Sequence, residues 1–127
     1  MNRTLRVGSV VALALMLALP ALAWAHAHLV RSEPSADARL TTPPKGIDLW
    51  FSEPVDVAKT TIVLKDSVGA ITRTGKTERG TGGRSVHVPV PAVLAPSRYT
   101  VMWKTQALNA HPTSGSFVFR VIPQAKR

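Results

Sequence analysis

Hydrophobic and polar residues alternate along several segments of this chain, and the alternation predicts β-strands. Residues 47–51, 99–103 and 117–121 each place every second side chain on one apolar face. A period of two is typical of a half-buried strand. Weaker strand candidates are residues 29–32, 60–65, 70–74 and 85–90. No window shows a sustained helical period, and residues 36–40 have room for one helical turn at most.

The apolar faces of these strands define the expected core. Its members are Leu49, Phe51, Ile62, Leu64, Tyr99, Val101, Trp103, Phe117, Phe119 and Val121. Breaker segments rich in glycine, proline and small polar residues separate the strands, at residues 41–46, 66–69 and 80–83. Short strands with regular turn signals predict an all-β sandwich or Greek-key barrel. Because Pro89 and Pro91 cannot donate to a sheet ladder, we expect residues 86–90 to form an edge strand.

The first 25 residues have the three parts of a secretory signal peptide. Arg3 and Arg6 form the basic start, residues 7–22 are apolar, and Ala23-Trp24-Ala25 is a small-x-small cleavage site. We therefore expect cleavage after Ala25 and export of a single domain, residues 26–127. Cleavage after Ala23 or Ala27 is an alternative. Retention of residues 7–25 as a membrane anchor is another, but no basic stop-transfer cluster follows them.

Composition narrows the class of protein. The chain contains no cysteine, so the exported domain must be stabilised by core packing alone. Loss of Arg3 and Arg6 leaves 14 basic and 7 acidic residues, a formal charge of +7. The cations are scattered, without the basic stripe and interleaved aromatics of nucleic-acid readers. We expect a monomer that does not bind nucleic acid.

Two of the four histidines are candidate metal ligands. Cleavage after Ala25 would give His26 a free α-amine, and an amine and imidazole on one residue chelate transition metals. His111 precedes Pro112, which holds it extended in the loop between two predicted strands. Such a loop on a rigid scaffold is well placed to present a ligand.

The other two histidines have plainer interpretations. His26-Ala27-His28 has the spacing with which an amine, two amides and an imidazole wrap copper(II) or nickel(II) in a square plane. That arrangement needs free amides, so a first strand starting at His28 or Leu29 would leave His28 a structural role, which we favour. His87 lies opposite the apolar face of its strand, and we expect it to be exposed to solvent.

Four segments occur in the order and spacing of a known family. They are HAHLVRSEP at residues 26–34, LWFSEP at 49–54, YTVMW at 99–103 and HPTSGSFVF at 111–119. Together they resemble the CopC family of periplasmic copper-binding proteins across nearly the whole exported domain. The resemblance implies a cupredoxin-like, immunoglobulin-like Greek-key β-barrel or sandwich of about seven strands. It also implies a periplasmic location and one copper(II) ion held by His26 and His111.

The resemblance extends to neighbouring positions and to a partner. Glu53 matches an acidic position near the family site, as a distant ligand or an acceptor. Asn109 stands where the family pattern has aspartate, so a neutral amide replaces a carboxylate beside the dication and we expect weaker binding. Met102 is the one methionine of the exported domain, which disfavours a copper(I) site. The implied recipient of copper is an inner-membrane transporter of the CopD type.

Three functions compete at this point. The first is a non-catalytic copper carrier or buffer in copper homeostasis and resistance, whose binding should weaken as pH falls because its ligands must be deprotonated. The second is an oxidase-type enzyme with a copper brace, since polysaccharide monooxygenases also use an N-terminal histidine. The third is a metal-free immunoglobulin-like binding module. We favour the carrier and expect no catalytic residues.

Overall fold

The computed structural model describes residues 26–125, which form two β-sheets. The strands are β1 (Leu29–Glu33), β2 (Arg39–Leu40), β3 (Gly46–Phe51), β4 (Thr61–Lys65), β5 (Ile71–Thr72), β6 (Glu78–Arg79), β7 (Ser85–Pro89), β8 (Ser97–Gln106) and β9 (Pro112–Val121). One sheet has the order β1-β3-β7-β6 and the other β2-β9-β8-β4-β5. The predicted all-β sandwich is confirmed. The predicted signal peptide lies outside the described residues.

The two sheets pack their apolar faces against each other, as the period of two requires. All ten predicted core residues are buried. Tyr99 stacks on Phe119 with ring centroids 5.5 Å apart, and Phe51 meets Trp103 edge-on at 5.3 Å. Buried residues that the prediction left out include Ile47, Val86, Val88 and Leu94. In residues 26–125 no helix has the length and hydropathy to cross a membrane.

The strand at residues 85–90 is not at an edge, contrary to prediction. β7 lies between β3 and β6, although β6 covers it only at Val86 and His87. Pro89 is the last residue of β7 and lies beyond the part that β6 pairs with. Its missing N–H therefore removes no bond from that ladder.

The shortest elements were not predicted from the alternation of hydrophobic and polar residues. Three strands have only two residues each, too few to show a period, so the two sheets together contain nine strands rather than about seven. Residues 36–40 contain β2, which runs parallel to β9, and no helical turn. A 3₁₀ turn at Val57–Lys59 follows Asp56, whose carboxylate accepts a hydrogen bond from the Ala58 N–H.

His87 is paired, where the sequence predicted a solvated side chain. It lies opposite Asp48 in the β3–β7 register, and its Nδ1 is 2.7 Å from Asp48 Oδ1. The ring also covers Gly46, where a Cβ would lie 2.5 Å from His87 Cε1. About a third of the side chain, 35%, remains exposed. His87 therefore belongs to the outer face of the four-stranded sheet.

Candidate metal centre

The segment that carries His26 is fixed by two strands. The Thr113 hydroxyl of β9 donates to the Ala27 carbonyl across 2.8 Å, and Ala27 is fully buried. Beyond it, the His28 N–H donates to Ser52 Oγ at 2.9 Å, and the Ser52 N–H donates to the His28 carbonyl at 2.8 Å. Residues 27–28 are thus held between the end of β3 and the start of β9. His26 lies immediately before this anchored stretch.

The loop that carries His111 is a tight turn between β8 and β9. The Ala110 N–H donates to the Ala107 carbonyl at 3.2 Å, and Asn109 has a φ of 58°. A positive φ at the third position of a turn is the feature that glycine and asparagine accommodate best. Ala107 and Ala110 are buried and anchor the loop, whereas Asn109 and His111 are exposed.

The two folded segments bring His26 and His111 together. Their ring centroids are 5.7 Å apart, with the planes inclined at 36°. Two imidazole nitrogens each about 2 Å from one ion would place the ring centroids roughly 4.5 to 6 Å apart. The observed spacing falls in that range.

One atom of this pair lacks a hydrogen-bond partner. His26 Nδ1 is buried and makes no hydrogen bond, the one such side-chain atom in residues 26–125. Burial of a polar nitrogen without a partner carries a free-energy cost, so an orphaned nitrogen needs an explanation. Nδ1 is also the ring nitrogen that would close a chelate with the α-amine that cleavage after Ala25 would free. The donor set therefore fits a transition-metal ion.

The remaining predicted site residues do not complete a set of metal ligands with this pair. Within the described part of the chain, no three His, Cys, Asp or Glu side chains converge closely enough to hold an ion. Glu53 is half-buried after the end of β3, and Asn109 stands two residues before His111 on the outside of the loop. A third donor would have to come from the backbone or the α-amine.

His28 is exposed, and its backbone is already in use. Its N–H is bonded to Ser52 Oγ, and β1 begins at Leu29. This is the condition under which we expected the square-planar amide site to be lost. The His28 amide is therefore not free for metal binding while this bond is kept.

Ser52 and Thr113 are site residues that the sequence alone did not indicate. Both are small hydroxyl residues at strand ends, which are common everywhere and carry no metal-ligand signal. Their proximity to candidate ligands was the available clue, since Thr113 follows His111 by two positions and Ser52 directly precedes Glu53.

Most of the chain matches a known protein family. The family model described as CopC domain matches residues 29–122. Protein YobA of Escherichia coli strain K12 is 32% identical over 99 residues, covering 77% of this chain and 80% of that protein. Copper transport protein CutJ of Bacillus subtilis is 27% identical over 113 residues, which are 88% of this chain but only 21% of CutJ.

Two solved structures share the fold. The crystal structure of CopC from Methylosinus trichosporium OB3b superposes with a TM-score of 0.73 at 26% identity, covering 80% of this chain and 99% of that one. PcoC, described as a methionine-rich copper resistance protein from Escherichia coli, gives a TM-score of 0.70 at 26% identity, covering 76% of this chain and 99% of that one.

Proposed function

This chain belongs to the CopC domain family, and from that premise we propose that it is a periplasmic copper(II) carrier. The ion is the cargo, and one ion binds per chain. Its donors are the α-amine and imidazole of His26, freed by cleavage after Ala25, and the imidazole of His111. The protein acts in copper homeostasis and resistance and has no catalytic role.

The observation that carries this proposal is the orphaned His26 Nδ1, on a ring whose centroid is 5.7 Å from that of His111. A buried nitrogen without a partner is a cost that an ion would remove. The spacing of the two rings suits a shared ion. Nitrogen donors of this kind favour copper(II) over the other common divalent ions.

The single methionine of the domain supports the oxidation state. Met102 lies on β8, on the outer face of the five-stranded sheet and away from the β8–β9 loop that carries His111. A copper(I) site needs soft thioether ligands, which residues 26–125 do not cluster. In this respect the chain differs from the neighbour described as methionine-rich.

A membrane transporter of the CopD type is the recipient that we propose. CutJ is named a copper transport protein, and the match covers about a fifth of its length. A segment like this domain is therefore built into a much longer transport protein. We infer that the separate domain works beside such a transporter and passes copper to it.

The copper-brace enzyme is disfavoured by the surface. Polysaccharide monooxygenases commonly bind substrate on exposed aromatic side chains. Among residues 26–125 the strongly exposed large hydrophobic residues are all aliphatic. The partly exposed Trp50 is covered by the Arg31 guanidinium, 4.2 Å from its ring centroid.

Titration with copper(II) against a competing chelator tests the proposal. We expect His111→Ala to weaken binding by at least tenfold, since it removes one of the donors. His87→Ala is the matched control, because His87 lies on the outer face of the other sheet. Equal loss in both variants, or in neither, would reject the site.

A further inference from the structure

Three arginines form one row across the outer face of the five-stranded sheet. Arg98 of β8 lies opposite Arg120 of β9, and Arg120 lies opposite Arg39 of β2. All three side chains are exposed, while the residues that follow them on each strand point into the core. Since strands lie about 4.8 Å apart, the three Cα atoms span about 10 Å. This arginine row is a band of like charge about one Debye length wide.

Within residues 26–125 no carboxylate lies within ion-pair distance of the arginine row, although Asp37 precedes Arg39 by two residues. Like charges directly opposite one another destabilise a sheet. The one ion pair in residues 26–125 is His87–Asp48, which lies on the other sheet. Asp66 is the acid that follows β4, and its carboxylate accepts hydrogen bonds from the N–H groups of Val68 and Ala70 within its own turn. The fold therefore gives this cluster of charge no structural role.

An exposed apolar hairpin tip lies beside the arginine row. Lys65 of β4 pairs with Thr100, and continuing that register brings the β4–β5 turn alongside Arg98. At this tip Val68 is 84% exposed and Ile71 is 71% exposed. Two aliphatic side chains next to a cationic band make a surface that is basic and apolar together.

The opposite face of the molecule carries the opposite charge. Glu33, Asp48, His87 and Glu78 lie in register across β1, β3, β7 and β6. Three of the seven acidic residues of the whole chain are in this row. Arg31, over Trp50, is a cation on the same face, but the three carboxylates outnumber it. The two outer faces thus differ in the sign of their net charge, which gives the domain a preferred orientation next to a charged surface.

We propose that the face bearing the arginine row and the β4–β5 hairpin tip docks on a membrane surface rich in anionic lipid headgroups. Guanidinium groups bind phosphate oxygens through paired hydrogen bonds. Each basic residue close to such a surface strengthens binding about fivefold. Val68 and Ile71 insert among the headgroups, in the manner of apolar residues at an interface. A broad sheet face with apolar tips suits a lipid surface better than a narrow acidic peptide.

Docking in this way leaves the candidate metal centre uncovered. His111 precedes β9, and Arg120 is nine residues further along the extended strand. At about 3.3 Å per residue, the two lie roughly 30 Å apart. The membrane contact and the metal centre are therefore at opposite ends of the same hairpin, and the contact does not depend on copper binding.

Vesicle co-flotation tests this proposal, with vesicles of phosphatidylcholine alone and with added phosphatidylglycerol. The protein is taken from the exported fraction of cells. The test variant is Arg98→Gln combined with Arg120→Gln. The matched control is Lys45→Gln combined with Lys76→Gln, which removes the same charge from exposed positions outside the five-stranded sheet. The parent and all variants have the same N-terminus, so any contribution of residues 1–25 to vesicle binding is the same in each.

We expect the parent protein to bind the anionic vesicles and to be released by salt, because screening weakens the attraction. The Arg98→Gln and Arg120→Gln double variant should have a vesicle partition coefficient roughly 25-fold below that of the parent, at about fivefold per residue. The lysine double variant should lose much less. Adding Val68→Ser to the arginine or the lysine double variant should lower the vesicle partition coefficient further. Circular dichroism should show that all variants keep the β fold.

Several outcomes would overturn the proposal. Absence of binding to anionic vesicles at low salt would do so, as would equal binding to vesicles of phosphatidylcholine alone. Equal losses of vesicle binding in the arginine and lysine double variants would show that binding depends on net charge and not on this face. Retention on immobilised poly-glutamate through the arginine row, without vesicle binding, would identify an acidic protein partner and reject the lipid assignment.

Discussion

Thr113 and Ala27 are joined by a hydrogen bond of 2.8 Å, from the threonine hydroxyl to the alanine carbonyl. Thr113 is two residues after His111, and Ala27 is one residue after His26. The start of a single strand therefore fixes both candidate ligands, one through the chain and one through this bond. The geometry of the pair depends on strand β9 more than on the loop alone.

Replacement of Thr113 by valine should weaken copper binding while the fold is retained. Loss of one hydrogen bond costs about 0.5 to 1.5 kcal/mol, so an affinity loss of several-fold is expected. Chelator competition measures it, and paramagnetic resonance should show a broader distribution of sites. Thr113→Ser keeps the hydroxyl and should restore parental affinity. A serine variant as weak as the valine variant would remove the positioning role.

Asn109→Asp should raise the affinity for copper(II). It adds a negative charge beside the site, and aspartate tolerates the left-handed backbone at φ 58° better than most residues do. Chelator competition against the parent measures the effect. Asn109→Gly is the control, because glycine also accepts this φ and adds no charge. Equal affinities in the parent and the aspartate variant would show that position 109 does not influence the ion.

Gly115→Ala should destabilise the domain. A Cβ at this position would lie 2.7 Å from Trp103 Cζ2, against a buried indole that cannot move freely. Overpacking of this kind costs about 1 to 3 kcal/mol in the free energy of unfolding, which urea denaturation measures. Gly83→Ala is the matched control, since nothing lies within 4 Å of a Cβ there. Equal stability of the two variants would contradict the packing described here.

Ionisation of Tyr99 should lower the free energy of unfolding of the domain at alkaline pH. Burial, followed by the nearby charge of Asp66, raises the pKa of its phenol above the ordinary value of 10.0. The folded state then holds this proton at pH values where the unfolded chain has lost it. The contribution to stability is full below pH 10 and is lost as pH rises through the folded-state pKa.

Tyr99→Phe removes this titration and serves as the comparison. The variant also loses the hydrogen bond from the Tyr99 hydroxyl to the Ala95 carbonyl, so its stability should be lower at neutral pH. Above pH 10 its free energy of unfolding should fall less steeply than that of the parent. Parallel curves for the two proteins would show that Tyr99 contributes nothing to the pH dependence.

The long strands and the core were predictable because their signal is local. Alternation at residues 99–103 and 117–121 marked the inward faces of β8 and β9, and the same pattern indicated the buried residues of β3. The position of β7 inside its sheet was not predictable, because β6, which pairs with it, has only two residues. Pro89 is of the residue type that usually indicates an edge strand, but here it lies beyond that pairing. The His87–Asp48 pair was missed since it depends on the β3–β7 register.

The candidate site was predictable only as separate residues. His26 and His111 were identified from a cleavage motif and a resemblance, but they are 85 positions apart. Their proximity requires the folded sandwich, as do the contacts of Ser52 and Thr113. From the sequence, Asn109 indicates only a change of charge, whereas the structure shows that its backbone also adopts a positive φ.

Electron paramagnetic resonance of the exported protein, loaded with an equimolar amount of copper(II), tests the shared site most directly. We expect nitrogen hyperfine structure in the parent protein, with one nitrogen fewer in His111→Ala and an unchanged spectrum in His87→Ala. A parent spectrum without nitrogen ligation, or one that His111→Ala leaves unaltered, would contradict a copper ion held by His26 and His111.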